Sequence, residues 1–211
     1  MKKLIFFSVA LLLLACSENE PKTLREMKSD KLLSESFSEN ELENLAKIVD
    51  FFESQICLDK SMSKEQCYFE FNKNTIEEYL KEFKGFKTPI NYHLQITLYT
   101  KIDSSFFKEI WKHPTYYKDR DLKKKIIEES YDLNQFGKYA LFLKSLEKND
   151  KLFKDFYKML SVSNETSFGV QASAFSRFTI EEFEGIKRRI FFAIYYLTIN
   201  DKMYNYKSRK K

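Results

Sequence analysis

Ile190-Phe191-Phe192-Ala193-Ile194-Tyr195-Tyr196-Leu197 lies near the C-terminal end of a 211-residue chain. Its apolar and aromatic side chains fall on every side of a helical wheel, not on one stripe. A helix of this kind is buried all round, so other helices must enclose it. The helix expected over Ile180 to Ile199 is therefore the centre of a bundle. Its start is marked by Phe178-Thr179 with Glu182 and Phe183, a capping box with a hydrophobic staple.

The composition agrees with an all-α, irregular multi-helix bundle. The chain is 43% hydrophobic and 17% aromatic, with 4 Gly and 3 Pro. That aromatic content excludes disordered and collagen-like classes. So few turn formers exclude a many-stranded sandwich or barrel. The length suits one domain.

Toward the N-terminus the same signals recur. Ser38 and Glu41 form a capping box, with Phe37 and Leu42 as its staple. Leu42, Leu45, Ile48, Val49, Phe52 and Ile56 then follow at helical spacing. Ser63 with Gln66 starts a second helix, expected to run to about Phe71. Asn74 with Glu77 repeats the box, and Ile76, Leu80 and Phe83 continue a stripe up to Gly85. Thr88-Pro89 reads as an N-cap followed by Pro at the first helical position. Residues 90–102 fit both a strand and a helix, and the Thr-Pro start favours helix. A short helix from Ser104 stops at His113-Pro114. From Asp119 to Leu160 the pattern is helical, with Leu122, Ile126, Ile127, Tyr131, Phe136, Leu141, Leu146, Phe153 and Phe156 as core candidates. Breaks fall at Gly137 and Asn149-Asp150. Residues 161–177 carry no strong stripe.

The first residues have another character. Met1-Lys2-Lys3 precedes an apolar or small run from Leu4 to Ala15, too short for a transmembrane helix but right for a secretory signal. Leu13-Leu14-Ala15-Cys16 resembles the lipobox of bacterial lipoproteins. The resemblance implies removal of residues 1–15 and a diacylglycerol thioether, with further acylation such as palmitate, on Cys16. It also implies membrane attachment through Cys16 in a bacterial cell envelope. Ser17 after the Cys is similar to the permissive case for sorting to the outer membrane. The expected organisation is a signal peptide over 1–15, the lipidated Cys and a flexible tether over 16–36, a helical domain over 37–206, and a basic tail over 207–211. Loss of residues 1–15 leaves 34 basic against 31 acidic residues, a net +3, which is too small to argue for nucleic acid.

Cys57 and Cys67 remain. In an oxidising compartment an even pair reads as a disulfide, closing the polar segment between two helices.

The sequence carries few signs of catalytic chemistry. His93 and His113 belong to no metal-ligand spacing, so no metal or cofactor is expected. No nucleophile elbow or phosphate loop exists. Glu77-Glu78, Glu128-Glu129 and Glu181-Glu182 are good helix formers in helix turns rather than facing acids. Exposed tyrosines such as Tyr204 and Tyr206 are candidate interface anchors. The expectation is a non-enzymatic, membrane-anchored envelope lipoprotein whose helical domain binds or scaffolds a protein partner, one subtype being an immunity or inhibitor protein. A small-ligand binder with a cavity between helices ranks second, and an acid-based hydrolase third.

Overall fold

The computed structural model describes residues 20–82, 86–117, 125–163 and 166–208. Its helices are α1 (Lys22–Ser29), α2 (Lys31–Ser36), α3 (Glu39–Ile56), α4 (Lys64–Glu82), α5 (Tyr92–Tyr99), α6 (Ser104–Ile110), α7 (Lys138–Leu146), α8 (Lys151–Ser163), α9 (Phe168–Phe175) and α10 (Ile186–Ser208). Among the described residues between α6 and α7 lie four short strands: β1 (Trp111–Lys112), β2 (Thr115–Tyr117), β3 (Lys125–Ile127) and β4 (Asp132–Leu133). The chain is thus an all-α multi-helix bundle with a small β insertion.

α10 is the centre. Ile190 through Leu197 are all 1% exposed or less. Each side of the helix meets a different neighbour. Tyr196 stacks on Phe52 of α3 at 6.1 Å between ring centroids and meets Phe71 of α4 edge-on at 4.8 Å. Phe191 packs on Phe156 of α8 at 4.7 Å, and Tyr195 on Phe175 of α9 at 5.2 Å. Phe192 meets Phe183 at 4.6 Å. Each aromatic side chain sealed in this way stabilises the fold by roughly 1.5–3 kcal/mol through burial alone. Among the polar groups inside, the Trp111 indole N–H donates to Thr198 Oγ1 at 2.8 Å and Tyr196 donates to Asn72 Oδ1 at 2.5 Å, whereas the buried Tyr139 and Tyr195 hydroxyls have no hydrogen-bond partner among the described residues.

α3 and α4 begin as the sequence predicts. Ser38 Oγ accepts from the Glu41 N–H while Glu41 Oε2 accepts from the Ser38 N–H. Ser63 and Gln66 exchange the same two bonds. Within residues 90–102 the helical reading holds over α5, and breaks fall at Gly137 and around Asn149-Asp150.

Several expectations are corrected. Residues 22–36 are not a flexible tether: they form α1 and α2, and Leu24, Met27 and Leu33 enter the core. α1 lies along α3, with Thr23 donating to Asp50 at 2.5 Å near one end and Lys28 paired to Glu39 at 2.5 Å near the other. The Asn74 box does not restart a helix. Asn74 is exposed and α4 runs through it, held by Asn72, which donates to the Phe175 carbonyl. Leu80, assigned to the stripe, is 70% exposed. α5 is capped by Asn91, not Thr88, because the Thr88 hydroxyl is committed to Asn200.

The helical reading of Asp119 to Leu160 fails over residues 125–133; 119–124 lie outside the described residues. β1 pairs antiparallel with β4, and β2 with β3 in the register Thr115 to Ile127. Pro114 and the run of aromatic and β-branched residues around it favour extended backbone. Leu122 lies outside the described residues, as do Phe83 and Gly85. Phe136 and Leu141, expected in the core, are 80% and 59% exposed. Residues 161–177 hold the end of α8 and all of α9. The expected helix start at Ile180 is only a 3-10 turn over Ile180–Phe183. Phe178 and Phe183 do make the staple contact at 6.1 Å, but Gly185 at φ 82° redirects the chain before α10 begins. α10 runs through Lys207–Ser208; 209–211 lie outside the described residues.

Candidate functional site

A groove with a volume near 750 Å³ runs between residues 86–93 and the C-terminal half of α10. Ile90, Phe86 and Met203 supply its apolar lining, and Thr88, Asn91 and Asn200 its polar groups. One wall is an aromatic pair: Tyr92 of α5 and Tyr204 of α10 stack at 3.7 Å with 12° between their planes. Tyr204 stays 42% exposed, and His93 meets its edge at 6.1 Å. Leu94, on the next position of α5, is 49% exposed.

A buried amide chain sets the floor. Asn200 Oδ1 accepts from Thr88 Oγ1 at 2.6 Å, and its Nδ2 donates to Gln95 Oε1 at 2.7 Å. Gln95 Nε2 then donates to the Leu197 carbonyl at 2.9 Å and to Tyr99 Oη at 2.7 Å. These bonds hold α5 to α10 and fix the groove's width.

Behind the floor is Asp201, 1% exposed. Its Oδ2 accepts from the Tyr131 backbone N–H at 2.5 Å and from Asn205 Nδ2 at 3.3 Å. Its Oδ1 has no hydrogen-bond partner among the described residues. Burial pushes this carboxyl up to about 6. The Tyr131 N–H, the Tyr92 hydroxyl, the Asn205 amide and the charge of His113 pull the other way without cancelling it. Burial, followed by the nearby Asp201 charge, raises the Tyr92 hydroxyl to about 12.

A second buried acid, Asp132 of β4, is 0% exposed. It accepts from Lys202 Nζ at 2.6 Å and from the Thr166 N–H at 3.1 Å, and Lys202 also donates to the Thr166 carbonyl. This brace ties the β insertion to α10. Neither Asp132 nor Asp201 lines the groove, so the pair does not present the facing carboxylates that glycoside hydrolysis requires.

Of the residues singled out in the sequence, Cys57 and Cys67 are joined in a disulfide with Cα atoms 5.2 Å apart. Cys16 lies outside the described residues. His113 packs on the Tyr131 ring at 4.2 Å. The glutamate pairs stay on separate elements: Glu77 and Glu78 on α4, Glu128 and Glu129 before β4, and Glu181 and Glu182 in the 3-10 turn. Glu182 is ion-paired to Arg188 at 2.5 Å. Among the described residues no group of three or more His, Cys, Asp or Glu side chains is placed to hold a metal ion. Nor is any helix among them long and apolar enough to cross a membrane. Tyr204 is the candidate anchor that the fold brings to a groove. Asn200 and Asp201 carry no motif of their own; the signal for them in the sequence is a polar pair separated by two residues from the apolar run that ends at Leu197.

An all-α domain with an aromatic-walled groove is what the fold and this site define. No protein family, curated protein or solved structure matches the chain.

Proposed function

We propose that the chain is a bacterial envelope lipoprotein, anchored through acyl groups on Cys16, whose helical domain binds a protein partner. The anchor rests on Leu13-Leu14-Ala15-Cys16 behind a short basic and apolar leader. The bridge between Cys57 and Cys67 supports an oxidising compartment, because such bonds are kept reduced in most cytosols. The single observation that carries partner binding is the exposed edge of the Tyr92–Tyr204 stack, continued by His93 in the groove. Rigid tyrosine rings give a large contact area at little entropic cost, which suits an interface anchor.

The second reading is a small-ligand binder using the same groove. It is favoured by the volume, which falls in the ordinary range for ligand pockets, about 300–1,000 Å³.

Affinity capture from detergent-solubilised envelopes separates the two. Wild type, Cys16→Ser and Tyr204→Ala are compared. The expected result is a protein enriched on wild type and lost on Tyr204→Ala. The absence of any enriched protein, together with a small molecule in native mass spectra that Tyr204→Ala releases, transfers the proposal to the second reading. Metabolic labelling with palmitate tests the anchor separately, and label retained by Cys16→Ser refutes it.

A further inference from the structure

α1 makes the leash short. Its first residue is Lys22, six residues after Cys16, and its buried Leu24 and Met27 fix it to the core. Fully extended, six residues span at most about 22 Å. The headgroup layer takes roughly 5–7 Å of that span, because the acyl chains end at its inner boundary. A folded domain of this length is about 40 Å across. The free reach is therefore less than half the domain's own width.

We infer that the surface around the start of α1, with the adjoining exposed turn of α3, is a membrane-facing surface held against the lipid bilayer that takes the Cys16 acyl chains. The inference rests on the proposed acylation of Cys16. The surface is placed by Thr23, which donates to Asp50 and so sets the α1 start beside the middle of α3. Lys22, Arg25, Lys47 and Asp50 are its exposed side chains. Glu20 is taken by Lys28 at 2.7 Å and Glu26 by Arg189 at 2.7 Å. The exposed charge is mixed, with a surplus of cations. Anionic headgroups strengthen the contact, but the leash alone enforces it, so it holds on a zwitterionic bilayer too.

The test uses the mature lipidated chain in vesicles of phosphatidylcholine, against the same chain in detergent. Lysines are acetylated with a membrane-impermeant reagent and read by mass spectrometry, with the remaining lysines as internal reference. Modification of Lys22 and Lys47 falls several-fold on the vesicles. A Gly/Ser insertion longer than the domain's width, placed between Asn19 and Glu20, restores it while the helical circular dichroism signal is kept. Unchanged reactivity of Lys22 and Lys47 on vesicles, or an insertion without effect, overturns the inference. Intact mass of Cys16 is read on the same sample. A bare thiol there sinks the anchor and this surface together, whereas an acylated Cys16 with reactive lysines sinks the surface alone.

Discussion

Arg189 of α10 and Glu53 of α3 face each other inside the bundle, Nε to Oε1 at 2.7 Å, with side chains only 4% and 9% exposed. Arg189 Nη2 is 2.6 Å from the same oxygen, within ion-pair range but off the hydrogen-bond direction. Nη1 reaches Glu26 at 2.7 Å, Lys64 closes on Glu53 Oε2 at 2.5 Å, and the Tyr68 hydroxyl donates to the Arg189 carbonyl at 3.3 Å. Three helices and the start of α10 thus share one charge cluster, buried at Arg189 and Glu53 and reaching solvent at Glu26 and Lys64. Arg189→Met leaves the Glu53 carboxylate buried with Lys64 as its remaining counter-charge and the Tyr68 hydroxyl at 3.4 Å. The expected loss is about 3 kcal/mol, the low end for a broken buried pair, because Lys64 still neutralises Glu53 in part. Arg189→Met with Glu53→Leu costs less than the sum of the single changes. Urea midpoints of the three variants check this, and strict additivity contradicts it.

Asp201 gives a pH dependence with a definite sign. Burial holds its carboxyl at about 6, above the ordinary 3.8, so the folded chain binds this proton more tightly than the unfolded one. Its contribution to stability is complete below 3.8 and is lost as pH rises through about 6. The gap corresponds to on the order of 3 kcal/mol. Asp201→Asn removes the titration and keeps an acceptor for the Tyr131 N–H. Its stability relative to wild type therefore improves from pH 4 to pH 7. Denaturant titrations at the two pH values measure the change, and a pH-independent difference contradicts the assignment.

The bridge closes a loop with a sequence separation of 10 between α3 and α4. A loop of this size is worth about 3 kcal/mol through restriction of the unfolded chain. Cys57→Ser with Cys67→Ser is expected to lower stability by about that amount, with α3 and α4 still formed, since both begin at complete capping boxes. Denatured but unreduced wild type incorporates no alkylating agent at Cys57 or Cys67. Full labelling of both excludes the bond.

The parts legible in the sequence were those whose signal is local. An all-apolar wheel over Ile190–Leu197 can only be a surrounded helix, and side-chain oxygens at Ser38 and Ser63 satisfy backbone donors wherever the chain later packs. The parts that were not legible depend on distant partners. Leu24 and Met27 make too short a stripe to stand out, and α1 is fixed by Asp50 and Arg189, far along the chain. Thr88 looks like a helix cap until Asn200 takes its hydroxyl. The strands paired across residues 111–133 contain Ile126 and Ile127, which fit a helical stripe equally well. The groove was out of reach for the same reason: Tyr92 and Tyr204 are separated by most of the second half of the chain.

Two glycines separate steric from conformational cost. Gly137 precedes α7, and a Cβ there would lie 2.2 Å from the Glu109 carbonyl oxygen and 2.8 Å from its carbon. Those are backbone atoms at the end of α6, and they cannot turn aside. Gly137→Ala must push α6 and α7 apart, disturbing Phe37 where it packs on Phe106 and Phe142. Overpacking of this kind costs about 1–3 kcal/mol. Gly185 has the opposite problem. A Cβ there meets nothing within 4 Å, but its φ is +82°. Gly185→Ala therefore costs only the left-handed backbone term, roughly 1–2 kcal/mol. Gly185→Asn recovers part of that cost, because Asn tolerates this conformation better than Ala; Gly137→Asn recovers nothing, because its clash is with atoms and not with an angle. Thermal denaturation of the four variants distinguishes the two causes, and equal rescue by Asn at both positions contradicts the distinction.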